Sequence, residues 1–174
     1  MKLAQHGFTL LELMTAIAII AVLAAIATPS FRSFSANSRI TAVANTVANA
    51  LAVARSEALR QSQPVSVCPS KNGKTCNSAN WGDGWIVFTD SGNPGVVNGG
   101  DTVLQTWPAP TGGVALTFAT ASANTYVRFD ARGMITPAIA ATFTVSAPHC
   151  SGNSISQIQV TASGSPQSTK MACP

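Results

Sequence analysis

From Leu13 to Ala27 every residue but Thr15 is apolar or small, and a single carboxylate, Glu12, stands at the head of the run. The 22 residues from Phe8 to Pro29 make about 33 Å of helix at ~1.5 Å per residue, enough to cross a hydrocarbon core of ~30 Å. Beyond Pro29 the pattern changes to an amphipathic one. Ile40, Ala44, Val47, Leu51, Ala54 and Ala58 recur at spacings of four and three, which keeps them on one helical face. Gln61-Ser62-Gln63 and Pro64 close that segment. The spacing predicts one helix of about 50 residues, kinked at Pro29, whose stripe is rich enough in alanine for a sheet to lie close against it. From Pro64 onward short alternating runs stand between Gly, Pro, Asn and Ser clusters, the texture of strands and turns. Predicted strands are Val65–Cys68, Trp85–Thr89, Val103–Trp107, Val114–Phe118, Tyr126–Asp130, Thr142–Ser146, Gln157–Thr161 and Thr169–Ala172. The fold class is therefore α+β: a long N-terminal helical spine, membrane-spanning in its first half, packed on an antiparallel β-sheet head.

Composition narrows the chemistry. Charged residues are 9% of the chain and its formal charge is +4, with Ser, Thr, Asn and Ala filling the rest. A Ser-His-Asp site would have to use His149 alone, and the chain carries neither a nucleophile elbow nor a phosphate-cradling or dinucleotide-binding glycine loop. The expectation is a non-enzymatic protein without a cofactor. Asp90, Asn93, Asn98 and Asp101 offer oxygens to calcium, but their spacing departs from an EF-hand and is ordinary turn chemistry. Zinc through sulfur is disfavoured, because no C-x-x-C spacing exists and His149 points away from Cys150 if both lie on a strand. No metal is expected. Four cysteines suit an oxidising compartment and allow three pairings.

Glu12 is the costly residue. A carboxylate in a spanning helix costs about 2.5–3.5 kcal/mol at the bilayer centre and less toward the interface. The run Gly7-Phe8-Thr9-Leu10-Leu11-Glu12 ahead of the apolar stretch resembles the class III signal of type IV pilins and type II secretion pseudopilins. The resemblance implies a membrane peptidase that cuts after Gly7 and N-methylates Phe8. An ordinary secretory signal cut near Ala25-Ile26-Ala27 is the rival reading, and Glu12 argues against it. Lys2 precedes the span, so the leader is expected to stay cytoplasmic. Two roles for Glu12 stay open and are compatible. It favours its own helix N-terminus through the macrodipole, and by resemblance it pairs with the N-terminal amine of a neighbouring subunit at low dielectric.

The order Cys68-Pro69, Cys76, Trp81-Gly82-Asp83-Gly84-Trp85-Ile86-Val87-Phe88, Phe129-Asp130-Ala131-Arg132-Gly133, Cys150 and Cys173 resembles the FimT/GspH family of minor pilins and H-type pseudopilins. With the N-terminal signal, the likeness runs nearly the whole length. Sequence proximity and the family habit of a C-terminal disulfide imply the pairs Cys68–Cys76 and Cys150–Cys173. Gly84-Trp85 and Gly133 read as turn and packing residues. The expected organisation is a leader over 1–7, a transmembrane and filament-core helix over 8–30, an amphipathic second half over 31–62 and a periplasmic β-rich head over 63–174.

The implied function is that of a minor pilin, anchored in the bacterial inner membrane and then built into a type IV pilus to prime assembly or adapt its tip. Prepilin peptidase and other pilins would be its partners, with Glu12 and Pro29 as assembly residues. Two disulfides favour the pilus over a type II secretion pseudopilin, the alternative. DNA uptake is a further alternative, since some members bind DNA through a Gly-Arg-x-Arg turn. Here that turn reads Gly164-Ser165-Pro166-Gln167 and both arginines are missing. Lys71, Lys74 and Lys170 remain as a diffuse basic candidate, sufficient only for weak, salt-sensitive association.

Overall fold

The computed structural model describes residues 8–174. Helix α1 (Leu10–Gln61) runs unbroken across Pro29 for 52 residues, about 78 Å at ~1.5 Å per residue. Pro29 removes one N–H from the ladder. Just before it, the Thr28 hydroxyl donates to the Ala24 carbonyl at 2.7 Å. The helix ends where Ser62 turns left-handed at φ 51°, and Pro64 then feeds the chain into the first strand.

Eight antiparallel strands follow: β1 (Val65–Pro69), β2 (Gly84–Thr89), β3 (Val103–Pro108), β4 (Ala115–Thr120), β5 (Val127–Phe129), β6 (Ala141–Ser146), β7 (Ile155–Val160) and β8 (Pro166–Met171). They form two four-stranded sheets, ordered β3-β2-β1-β5 and β4-β6-β7-β8. All eight predicted strands are present, with ends shifted by at most three residues. The helix lies across both sheets on the predicted stripe. Ile40, Ala44, Val47, Leu51, Ala54 and Ala58 are all buried, joined by Ala36 and Ala50. Alanine at five of these eight positions lets two sheets approach one helix without a bulky side chain holding either away.

Trp81 forms the hinge of the core. It begins a 3₁₀ turn (Trp81–Asp83), meets Phe143 edge-on at 4.6 Å and Phe118 at 5.2 Å, and donates its indole N–H to the Thr125 carbonyl at 3.1 Å. One ring thus links the first sheet to the second. The next turn is closed by Gly84 at φ +100°, where a Cβ would come within 2.6 Å of the Trp107 carbonyl oxygen.

Strands β1 and β2 are buried on both faces, which explains their nearly continuous apolar character. Val65, Val67, Trp85 and Val87 face the helix-side core. Cys68, Ile86 and Phe88 form a second cluster on the other face, covered by Val97, Val103 and Tyr126. That cover is fastened by Asp90, whose carboxylate is fully buried. Its Oδ2 accepts from the Ser66 hydroxyl at 2.5 Å and from the Gly95 N–H at 2.9 Å, and Arg128 Nε lies 3.2 Å away. Arg128 also donates through Nη2 to the Asp90 carbonyl at 2.8 Å. The loop after β2 is therefore pinned to β1 and β5 by one ion pair.

A charge left buried without its partner is far costlier than a whole pair replaced by apolar groups. Asp90→Asn is expected to destabilise the head by about 3 kcal/mol, read as a lowered denaturant midpoint with an unchanged slope. A loss within the range of an exposed surface change would contradict this role.

Candidate assembly interface

Gly7, the expected cleavage position, lies outside the described residues. Phe8 and Thr9 precede the helix, and Thr9 is its N-cap in a reciprocal capping box. The Thr9 hydroxyl accepts from the Glu12 N–H at 3.2 Å, while Thr9 N–H donates to Glu12 Oε2 at 2.9 Å. Thr9 Oγ1 and Glu12 Oε2 also lie 3.0 Å apart. The structure thus gives Glu12 a local task at its own helix N-terminus. The described bonds to its carboxylate fall on Oε2, and none falls on Oε1.

Around this tip the helix surface is bare. Leu10, Leu11, Ile20, Leu23, Ile26 and Phe31 are between 62% and 77% exposed. An 18-residue window of the helix has mean hydropathy 2.5 with no residue buried. Among the described residues nothing covers this surface, in contrast to the packed stripe from Ala36 onward.

The remaining candidate residues are placed by the head. Cys68 is bonded to Cys76 and Cys150 to Cys173. The first bond closes the loop that carries Lys71 and Lys74, and the second fastens the chain after β8 to the β6–β7 connection, where Cys173 N–H also donates to the Gly152 carbonyl at 2.9 Å. Lys71 lies 3.5 Å from the Asp83 carboxylate, and Lys74 is exposed. Lys170 belongs to β8 in the other sheet and donates to the Thr41 hydroxyl on the helix at 3.3 Å. Lys71 and Lys74 thus stand on the loop after β1 and Lys170 on β8 of the other sheet, and Lys71 lies beside an acid. The turn at Gly164 is a packing element: a Cβ there would come 2.1 Å from the Gly133 carbonyl oxygen. That carbonyl accepts from Arg55 Nε at 3.1 Å.

The loop weighed for calcium has other uses for its oxygens. Asp90 is the buried anchor described above. Asp101 accepts from Ser91 N–H and hydroxyl at 3.1 Å and from Asn98 N–H at 2.9 Å. Burial works against its charge, yet these donors together hold the Asp101 carboxyl below the usual aspartate range. Among the described residues no three His, Cys, Asp or Glu side chains converge as metal ligands. His149, which would point away from Cys150 if both lay on a strand, sits instead in the turn after β6 at φ +61°, and β6 ends at Ser146 as predicted.

The family model described as "Type II transport protein GspH" matches residues 43–164, and a prokaryotic N-terminal methylation motif matches residues 2–28. A fimbrial protein of Pseudomonas aeruginosa is 39% identical over 69 residues, 40% of this chain and 45% of that protein. A type IV major fimbrial protein FimA of Dichelobacter nodosus is 36% identical over 76 residues, 44% of this chain and 43% of that protein. The chain thus spans less than half the length of these curated relatives. Among solved structures, the type IV minor pilin FimU of Pseudomonas aeruginosa superposes with a TM-score of 0.57 at 20% identity, covering 78% of this chain and 88% of FimU. That likeness is one of fold.

Lys71 and Lys74 share the loop after β1, Lys170 belongs to the other sheet, and Lys71 faces an acid. Duplex DNA is expected to bind the chain with a salt slope of no more than about two phosphates, measured by anisotropy across a salt series. A steeper slope that falls when Lys71, Lys74 and Lys170 are all changed to Gln would show a single merged basic site.

Proposed function

The chain belongs to the GspH family, whose members are type IV pilin-like minor pilins and pseudopilins with structural rather than enzymatic roles, and we propose that this one is a minor pilin of a type IV pilus. The observation that carries the reading is the division of α1 into a bare apolar half tipped by Glu12 and a packed half that holds the head. A helix half of this kind must be covered by lipid before assembly and by other helices after it. Cleavage after Gly7 would free the Phe8 amine, which prepilin peptidase would methylate. Thr9 keeps Glu12 Oε2 occupied, so Oε1 is the oxygen available to the Phe8 ammonium of a neighbouring subunit.

In this mechanism the ion pair sets register and the apolar surfaces supply the adhesion. Charge pairing is far more sensitive to axial offset than apolar contact is, because burying an ion without its partner costs several kcal/mol. A subunit that slides by one turn loses the pair and keeps the cost. The head, tied by its two disulfides, would remain outside the inner membrane and be displayed on the filament, priming assembly or adapting the tip. The same physics would serve a type II secretion pseudopilin, so the host machine is separated by phenotype rather than by geometry. DNA uptake is the weaker reading, since both arginines of the Gly-Arg-x-Arg turn are absent and Lys170 stands on a different sheet from the Lys71–Lys74 loop.

Glu12→Ala is expected to leave the protein in the membrane while lowering its amount in sheared filaments by about tenfold or more, as an unpaired buried ammonium costs upwards of ~3 kcal/mol. Deleting the chain is expected to reduce piliation and spare exoprotein secretion. Normal filament incorporation of Glu12→Ala would sink the register mechanism. Lost secretion with intact pili would reassign the protein to a secretion pseudopilus.

A further inference from the structure

Four cations beyond Pro29, Arg60, Lys71, Arg128 and Arg132, each face a carboxylate, at 2.6, 3.5, 3.2 and 3.7 Å. Among the described residues Arg32 and Arg39 make no such ion pair. They line a groove of about 430 Å³ with Phe31, Gly112, Pro148 and His149, and none of its lining residues is acidic. Lys170, held against Thr41, adds a further cation at a neighbouring level of the helix.

The groove is also built rather than incidental. Arg39 donates through Nη1 to the Gly112 carbonyl at 3.2 Å. Gly112 is at φ +73°, and a Cβ there would strike Arg39 Cδ at 2.9 Å. The glycine turn therefore closes around one edge of the guanidinium and leaves its other donors unused. His149, also lining the groove, holds a left-handed backbone at φ +61°, a conformation rare for a residue with a side chain.

Position selects the partner. If the apolar run ends at the hydrocarbon boundary near Pro29, Arg32 stands about 4.5 Å beyond it and Arg39 about 15 Å. The headgroup layer is roughly 5–8 Å thick on each side, and Arg32 lies within it. Arg39 stands about 7 Å or more above its outer edge, close to the full length of its side chain, which leans toward the helix N-terminus. Exposed Phe31 and Phe34 flank Arg32 on the helix, 71% and 68% exposed, and supply apolar contact at the same boundary. We propose that the groove between Arg32, Arg39 and His149 is a docking surface for anionic phospholipid headgroups, which seats the head on the membrane before the subunit enters a filament. This rests on the head lying at the membrane surface, as in the proposed function.

Full-length protein reconstituted in phosphatidylcholine bilayers, probed with spin-labelled phosphatidylglycerol or phosphatidylcholine, tests this directly. The wild type is expected to prefer the anionic label severalfold, on the scale of about fivefold per engaged cation. Arg32→Gln, which breaks no described intrachain bond, should lower that preference about two- to fivefold, and Arg32→Gln/Arg39→Gln should abolish it. Arg132→Gln, beside Asp130, should leave it unchanged. Equal association of both lipids with the wild type, or an undiminished preference in the double variant, would overturn the proposal. Equal lipid association combined with lost filament entry of the double variant would also overturn it, and would assign the arginines to carboxylates of a neighbouring subunit. Protease access to the head in sealed vesicles is read separately, so a misplaced head would defeat the proposed function without being mistaken for a failure of lipid preference.

Discussion

The uncovered apolar half of the helix is the constraint on which everything else turns. Thirteen large apolar side chains between Phe8 and Phe34 are more than half exposed. Burying such residues contributes about 1.5–3 kcal/mol each, so leaving this surface in water forgoes on the order of 20–40 kcal/mol. A whole domain is stable by only about 5–15 kcal/mol. No adjustment within the head can offset that difference. The chain needs a bilayer or a bundle of like helices, and the single carboxylate at the tip gives such a bundle a means of fixing its register.

The head answers a different problem, that of holding a rigid rod without surrounding it. Its alanine stripe admits both sheets to one side of the helix, while the opposite side from Thr41 to Asn49 stays open. Trp81 joins the sheets at one place, and the Asp90–Arg128 pair fastens the cover of the first sheet at another. Two disulfides close the excursions that packing leaves loose, the Lys71–Lys74 loop and the C-terminal tail. Stability is thus distributed so that the head can hold its shape in either setting of the helix, lipid or filament.

Much of this was legible in the sequence because the periodicities were clean. The spacing of Ile40 to Ala58 gave the buried face of the helix, and turn residues bracketed each of the eight strands. The division of those strands into two sheets was not legible, since β1 and β2 are apolar at both parities and give no sign of which face meets the helix. Asp90 illustrates the second gap. Its neighbours Ser91, Gly92, Asn93 and Pro94 mark a turn, and a half-buried partner 38 positions away, Arg128, leaves no local trace. For the interface, Glu12 announced itself by its cost, but the capping role of Thr9 depends on geometry. The basic groove escaped notice because Arg32, Arg39 and His149 are distant in sequence and only the helix-to-head packing brings them to one cleft.

The central claim is that the apolar half stays attached to the head throughout the protein's life. Intact-mass and N-terminal analysis of the protein recovered from membranes tests it most directly. The account predicts a chain beginning at Phe8 and carrying one N-methyl group. A chain beginning at Thr28, after Ala25-Ile26-Ala27, would show a secretory signal discarded and a free head, and would contradict the account at its root.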